Sequence, residues 1–139
     1  MKTSSLTFIL LVLMGAIALN GCTKEAGPDP SPTDARASFL GQWSVSETWT
    51  KLAYEVNITA DPGSNDGVFI SNFANTGSSG IPAGATISGT SITLDADQVI
   101  GDGLKINGSG TLSGTKINWN YTLDDGATLI YIVATYTKK

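Results

Sequence analysis

The stretch Lys116-Ile117-Asn118-Trp119-Asn120-Tyr121-Thr122-Leu123 alternates strictly between polar and apolar side chains. Successive side chains of a β-strand point to opposite faces of a sheet, so this stretch predicts a strand with an apolar inner face and a polar outer face. Asp124-Asp125-Gly126 follows and is typical of a turn. Residues 127–137 then predict a second strand, which is apolar on both faces.

Short apolar alternations separated by Gly, Asn, Asp and Ser continue from here back to Phe39. None of them has the period of a helix, so residues 39–139 predict one all-β domain of eight or nine strands. The further predicted strands lie near Trp43 and at 51–60, 68–73, 85–87, 91–94, 98–100 and 104–112.

The short connections make sequential strands antiparallel neighbours. A meander of about eight such strands can close into a barrel, which leaves no free edge. We therefore predict an antiparallel meander barrel of about eight strands. A two-sheet β-sandwich is the alternative, although its Greek-key topology usually needs some longer connections.

The first 21 residues have the features of a secretory signal peptide. A basic start precedes an apolar run, Phe8 to Leu19, that is too short to span a bilayer, for which a helix needs about 20 residues. Leu19-Asn20-Gly21-Cys22 resembles the lipobox of bacterial lipoproteins, in which the thiol accepts a diacylglycerol. Cys22 is the single cysteine of the chain, which fits an acylated residue better than a disulfide partner.

Residues 22–38 predict a lipidated cysteine followed by a disordered linker, because they are rich in Pro and Gly and nearly free of large apolar side chains. Thr23 stands where an inner-membrane retention signal would have Asp, which points to the outer membrane, on either its periplasmic face or the cell surface. The chain has eight basic and twelve acidic residues, and loss of Lys2 leaves seven basic ones. This acidity argues against a nucleic acid partner and leaves the lipid anchor as the contact with the membrane.

The domain begins with Phe39-Leu40-Gly41-Gln42-Trp43. Gly41-x-Trp43 at the start of the first strand resembles the signature of lipocalins and related calycins. The resemblance implies a barrel whose closed end is plugged by Trp43, with Lys138 of the last strand packed across it. It also implies a binding module for a small apolar or amphipathic ligand.

Catalysis is not expected, because the chain contains no histidine. This excludes Ser-His and Cys-His nucleophilic sites and His-ligated zinc. The carboxylate pairs Asp95/Asp97 and Asp124/Asp125 lie beside turns, where Asp serves the backbone. Asp61 to Gly67 does not have the spacing of an EF-hand calcium loop. We predict a protein that is not an enzyme and that needs no metal or cofactor.

Inward aromatic and glycine positions are the candidate ligand site. Gly108 and Gly110 leave space that either a ligand or a neighbour such as Trp119 fills. Glu47 is in phase with the inward residues, so it either orients a polar ligand group or lies at the rim where its strand ends. The tentative ligand-binding residues are Trp43, Glu47, Trp49, Gly108, Gly110, Trp119, Tyr121 and Tyr131.

Three functions remain open from the sequence. The first is binding of a small apolar ligand inside the barrel. The second is a protein-binding envelope lipoprotein with a filled barrel, which would use the loop 74–84. The third is an enzyme, which the residues favour least. A cavity of at least about 300 Å³ would favour the first function, and a filled interior with exposed apolar loops would favour the second.

Replacement of Cys22 by Ser should move the protein out of the membrane fraction or leave the uncleaved precursor, because the hydroxyl does not replace the thiol as acyl acceptor. Membrane fractionation and intact mass measurement would show either change. A Ser variant that is processed and membrane-bound like the parent would contradict the lipoprotein prediction.

Overall fold

The computed structural model describes residues 33–139, apart from the side chain of Asp102. The predicted signal peptide, Cys22 and most of the predicted linker lie outside the described residues. The described part contains no helix that is long and apolar enough to cross a membrane. Two short 3-10 turns occur at Phe73–Asn75 and Gly101–Gly103. The strands are β1 (Gly41–Glu47), β2 (Tyr54–Ala60), β3 (Gly67–Ser71), β4 (Ala83–Ser88), β5 (Ser91–Leu94), β6 (Val99–Ile100), β7 (Leu104–Ser113), β8 (Lys116–Asp124) and β9 (Leu129–Lys138).

The strands form a closed, eight-stranded antiparallel barrel. Apart from β5 and β6, strands that are neighbours in the chain pair with one another, and the barrel is closed by the pairing of β1 with β9 and of β5 with β7. The two-residue β6 pairs with the start of β7, beyond β5, and so continues the strand position that β5 begins. The predicted all-β meander barrel is confirmed, and the sandwich alternative is excluded.

The first and last strands meet where the chain enters the barrel. Trp43 is directly opposite Lys138 in the β1–β9 register. The Lys138 Nζ lies 5.2 Å from the centroid of the Trp43 ring and donates a hydrogen bond to the Ser38 carbonyl at 2.8 Å. The Trp43 indole N–H donates to the Phe39 carbonyl at 2.8 Å. The predicted packing of Lys138 across Trp43 is confirmed.

The folded part begins earlier than the predicted boundary at residue 39. Arg36 donates from one guanidinium nitrogen to three carbonyl oxygens of the β2–β3 turn, those of Asp61, Ser64 and Gly67, at 3.0, 2.7 and 3.0 Å. The predicted disordered linker is therefore wrong for its last residues. The composition of the linker gave no sign of this order, because the hydrogen bonds of one arginine can hold a short segment that has no apolar pattern.

The two ends of the barrel differ. We call the end with the connections 61–66, 89–90 and 114–115 the Trp43 end. The opposite end, with the connections 48–53, 72–82, 95–103 and 125–128, is the Phe73 end. Phe73 was expected to be the last residue of a strand, but β3 ends at Ser71. Positive φ angles at Asn72 and Ala74, 58° and 52°, reverse the backbone, and Phe73 is 1% exposed.

Trp119 of the neighbouring strand β8 packs over Gly110 of β7 and leaves no room for a side chain at that position. The two residues are directly opposite in the β7–β8 register. A Cβ added at Gly110 would lie 2.8 Å from the Trp119 ring and 2.9 Å from the Ile117 Cγ2. Gly108 is constrained by its backbone, since its φ is 155° and a Cβ would lie 2.5 Å from the Tyr121 Cα. Both glycines therefore permit close packing of strands.

Replacement of Gly110 by Ala should lower the free energy of unfolding by about 1–3 kcal/mol, the usual cost of overpacking a filled core. Urea denaturation followed by tryptophan fluorescence would measure it. Ser109→Ala is the matched control, because Ser109 directly precedes Gly110 in β7 and points outward. Equal stability of the Gly110→Ala variant and the parent would show that the interior has spare room.

Candidate functional site

Aromatic side chains fill the middle of the barrel. Phe73 contacts three of them, with ring centroids 5.7 Å from Trp119, 4.8 Å from Tyr121 and 6.5 Å from Tyr136. Trp119 and Tyr136 are also in contact, at 5.6 Å between centroids. All four are at most 3% exposed. Phe73 thus closes, from its own end, the opening through which a ligand would enter.

A buried carboxylate is in contact with this aromatic cluster through Tyr121. Glu47 is 6% exposed and accepts three hydrogen bonds. Its Oε2 accepts from the Tyr54 and Tyr121 hydroxyls, at 2.7 and 2.6 Å, and its Oε1 accepts from the Thr50 hydroxyl at 3.0 Å. Three donors satisfy a group whose burial would otherwise be costly. The β1 strand does end at Glu47, as expected, but the side chain is inside rather than at an exposed rim.

The hydroxyls around Glu47 have strongly shifted ionisation. Burial, followed by the hydrogen bond to Glu47, raises the pKa of Tyr54. Burial, followed by the neighbouring tyrosines and Glu47, raises the pKa of Tyr121. Burial raises the pKa of Tyr136 well above its ordinary value. Tyr54 and Tyr121 form a structural hydrogen-bond network with Glu47 in which both stay protonated, and Tyr136 stays protonated mainly through its burial.

Two polar atoms in the interior have no hydrogen-bond partner in the described part of the chain, the Trp119 Nε1 and the Tyr136 hydroxyl. Both belong to side chains that are 0% exposed. Within residues 33–139, no group of three or more His, Cys, Asp or Glu side chains is arranged to hold a metal ion. The described interior therefore holds one carboxylate that is satisfied by hydrogen bonds and two polar atoms that are not.

The candidate ligand residues divide between the interior and the surface. Trp43, Trp119 and Tyr121 are buried, as expected, and Glu47 is buried rather than at the rim. The space at Gly110 is occupied by the Trp119 ring. The inward placement of two others is wrong.

Trp49 is 45% exposed, because β1 ends at Glu47 and the chain turns before Trp49. Tyr131 is 77% exposed, because the inner face of β9 is the one that carries Ile132, Ala134 and Tyr136.

Exposed apolar side chains gather at the Phe73 end. Residues 33–139 have eight large apolar side chains that are exposed, and five belong to this end. The five are Trp49, Leu52, Ile81, Val99 and Leu129, with exposures of 45, 65, 62, 42 and 50%. The connections at the Trp43 end have the sequences DPGSND, GT and GT, which contain no large apolar residue.

The charges at the Phe73 end are mainly negative. In sequence, its connections carry Asp95, Asp97, Asp102 and Asp125 against Lys51. Such an end is repelled by anionic lipid headgroups and attracted by basic surfaces. The Phe73 end therefore suits a partner that offers both apolar and basic side chains.

A second surface feature lies on the outer wall of the barrel. An open groove of about 310 Å³ runs over β7, β8 and β9 and has Asn107, Gly108, Asn120, Tyr131 and Val133 among its lining residues. Gly108 and Tyr131, two of the candidate ligand residues, thus meet on the outside of the barrel rather than within it.

No protein-family model and no curated protein matches the sequence. Among solved structures, the chain is similar to a candidate outer membrane protein from Bacteroides fragilis, with 17% sequence identity and a TM-score of 0.46. The similarity covers 76% of this chain and 53% of that chain, so this chain spans about half the length of that protein. The function has to be inferred from the geometry of the domain itself.

The sequence patterns missed Phe73, the partners of Glu47 and the apolar end. Phe73 was counted as a strand residue, and Thr50 and Tyr54 join Glu47 through a turn that alternation does not describe. The grouping of apolar residues at the Phe73 end could have been predicted from the sequence. In a meander, alternate connections lie at the same end, so the apolar residues of 48–53 and 72–82 could have been grouped beforehand.

The buried tyrosines should make the domain lose stability in alkaline solution. The folded-state pKa values of Tyr54, Tyr121 and Tyr136 lie above the unfolded value of about 10. Their contribution is therefore complete below pH about 10 and is lost as the pH rises further, because the unfolded chain releases these protons first.

Denaturant titrations at rising pH would measure this loss, and phenolate absorbance of the three residues should appear together with unfolding. Tyr121→Phe should show a smaller alkaline loss than the parent. Ionisation of every tyrosine in a chain that stays folded, as judged by circular dichroism, would contradict the assignment.

Proposed function

We propose that the chain is a lipid-anchored lipoprotein of the bacterial envelope, placed at the outer membrane, whose barrel is a non-enzymatic module that binds a protein partner at the Phe73 end. The observation that carries the proposal is the concentration of five exposed large apolar side chains at this end. The lipobox at Leu19–Cys22 supports the anchor.

A ligand inside the barrel is the less favoured function. The interior that would receive it holds Phe73, Trp119, Tyr121 and Tyr136 in mutual contact. An eight-stranded barrel is wide enough for its own side chains or for one small ligand, and here the side chains occupy the space.

A protein fits the Phe73 end better than a membrane surface does. Exposed apolar side chains concentrated at one end of a domain are typical of interaction sites, and the acidic residues Asp95, Asp97 and Asp125 would oppose anionic lipid. The partner expected from this chemistry has an apolar site with basic residues around it, because complementary charges speed association and exclude wrong partners. The described chain enters the barrel at the Trp43 end, opposite to the end that carries these apolar side chains.

The proposal can be tested with the full chain in its own envelope. A photo-reactive amino acid at position 81 should give a discrete adduct with another protein, whereas the same group at position 115, in a turn at the Trp43 end, should not. Leu52→Asp should reduce the adduct about tenfold, which corresponds to about 1.4 kcal/mol, without loss of the folded state.

Lipid adducts at position 81, or protein adducts of equal yield at 81 and 115, would contradict a protein-binding end. Saturable quenching of the buried tryptophans by a fatty acid would instead support the alternative function, in which the barrel interior binds a small apolar ligand.

A further inference from the structure

The groove on the outer wall has a regular construction. Asn107, Thr122 and Tyr131 form one row across β7, β8 and β9, and Ser109, Asn120 and Val133 form the next row. The groove has a volume of about 310 Å³, at the lower end of the range of small-molecule sites.

The side chains of the groove rows carry no charge, and charged residues on the same face begin in the rows beyond them, with Lys105 and Asp124 on one side and Lys116 on the other. The third row, Thr111, Asn118 and Thr135, continues the same outward face. The nine side chains of the three rows are thus amides, hydroxyls, one valine and one tyrosine. Exposed protein surfaces usually mix charges of both signs, so an uncharged patch of this size needs an explanation.

The polar groups of the groove are available for a ligand. Of the side-chain groups in the two groove rows, only the Thr122 hydroxyl makes a hydrogen bond within residues 33–139, to the Asn107 carbonyl at 3.3 Å. The amides of Asn107 and Asn120 therefore retain two donors and an acceptor each. Beside them, Tyr131 is 77% exposed and offers both a flat apolar ring and a hydroxyl.

We propose that this groove binds a neutral saccharide. A sugar ring has an apolar face of C–H groups and an edge of hydroxyls, so it can lie on the Tyr131 ring while its hydroxyls bond to the amides of Asn107 and Asn120. A phosphate or carboxylate ligand would lack a cation among the groove residues. An alkyl chain would cover the amides without satisfying them, which is costly.

This saccharide site lies outside the barrel interior and is separate from the five apolar residues of the Phe73 end. It therefore goes beyond the proposed protein binding and does not depend on it. A lipoprotein with both surfaces would hold a protein partner at one end and a glycan along its side.

The test uses the full chain in detergent and a panel of neutral oligosaccharides of glucose, galactose, mannose and N-acetylglucosamine. Binding would be detected on immobilised glycans and measured by calorimetry with the same oligosaccharides. The parent should bind at least one class. Tyr131→Ala should weaken this binding about tenfold or more, whereas Tyr131→Phe should keep most of it, because the ring is retained.

Thr137→Ala is the matched control, because Thr137 is exposed on the same face of the same strand and lies outside the groove and its rows. It should leave saccharide binding unchanged. Asn120→Ala should weaken binding without changing the free energy of unfolding appreciably.

Failure of the whole panel to bind at millimolar concentration would overturn the proposal, as would binding that is indifferent to Tyr131→Ala and Asn120→Ala. Loss of the protein adduct at position 81 on Tyr131→Ala, with no saccharide binding in the parent, would assign the groove to the protein partner. An unchanged adduct together with lost saccharide binding would support two separate sites.

Discussion

The small diameter of an eight-stranded barrel is the constraint on which the rest of this structure depends. Such an interior holds one set of side chains or one small ligand, not both. Here the Trp119 ring occupies the space over Gly110. Phe73, from the connection 72–82, packs against that ring. Because side chains fill the interior, both of the binding sites proposed here lie on outer surfaces, where the exposed apolar and amide groups are found.

Much of the fold could be predicted because strand alternation and turn composition are local signals. The pattern of residues 116–123 defined β8 and its inner face, and the parity of a meander placed Trp43 beside Lys138. Phe73 and Arg36 could not be predicted in the same way. Phe73 is buried by a local reversal of the backbone, and Arg36 acts through hydrogen bonds to carbonyls about 25 to 31 residues away, which leave no periodic trace.

The candidate site was predicted only in part, for reasons that differ between residues. Trp119 and Tyr121 lie in a strand with one polar face, so their direction was unambiguous. Tyr131 lies in β9, where both faces are apolar and alternation cannot select the inner one. The two tyrosines that bond to Glu47 are 7 and 74 residues away in sequence. Only the strand order and register bring them to one carboxylate.

The position of Arg36 has a mechanical consequence for a domain held by its N-terminal side. A pull on the segment before Thr33 would reach the three hydrogen bonds of Arg36 to the β2–β3 turn before it reached the backbone pairs of β1. Force would first be shared with a second strand connection rather than peel β1 from its neighbours. In the lipid-anchored protein proposed above, the hydrogen bonds of Arg36 would therefore bear tension from the N-terminal side before the pairing of β1 with β9 is opened.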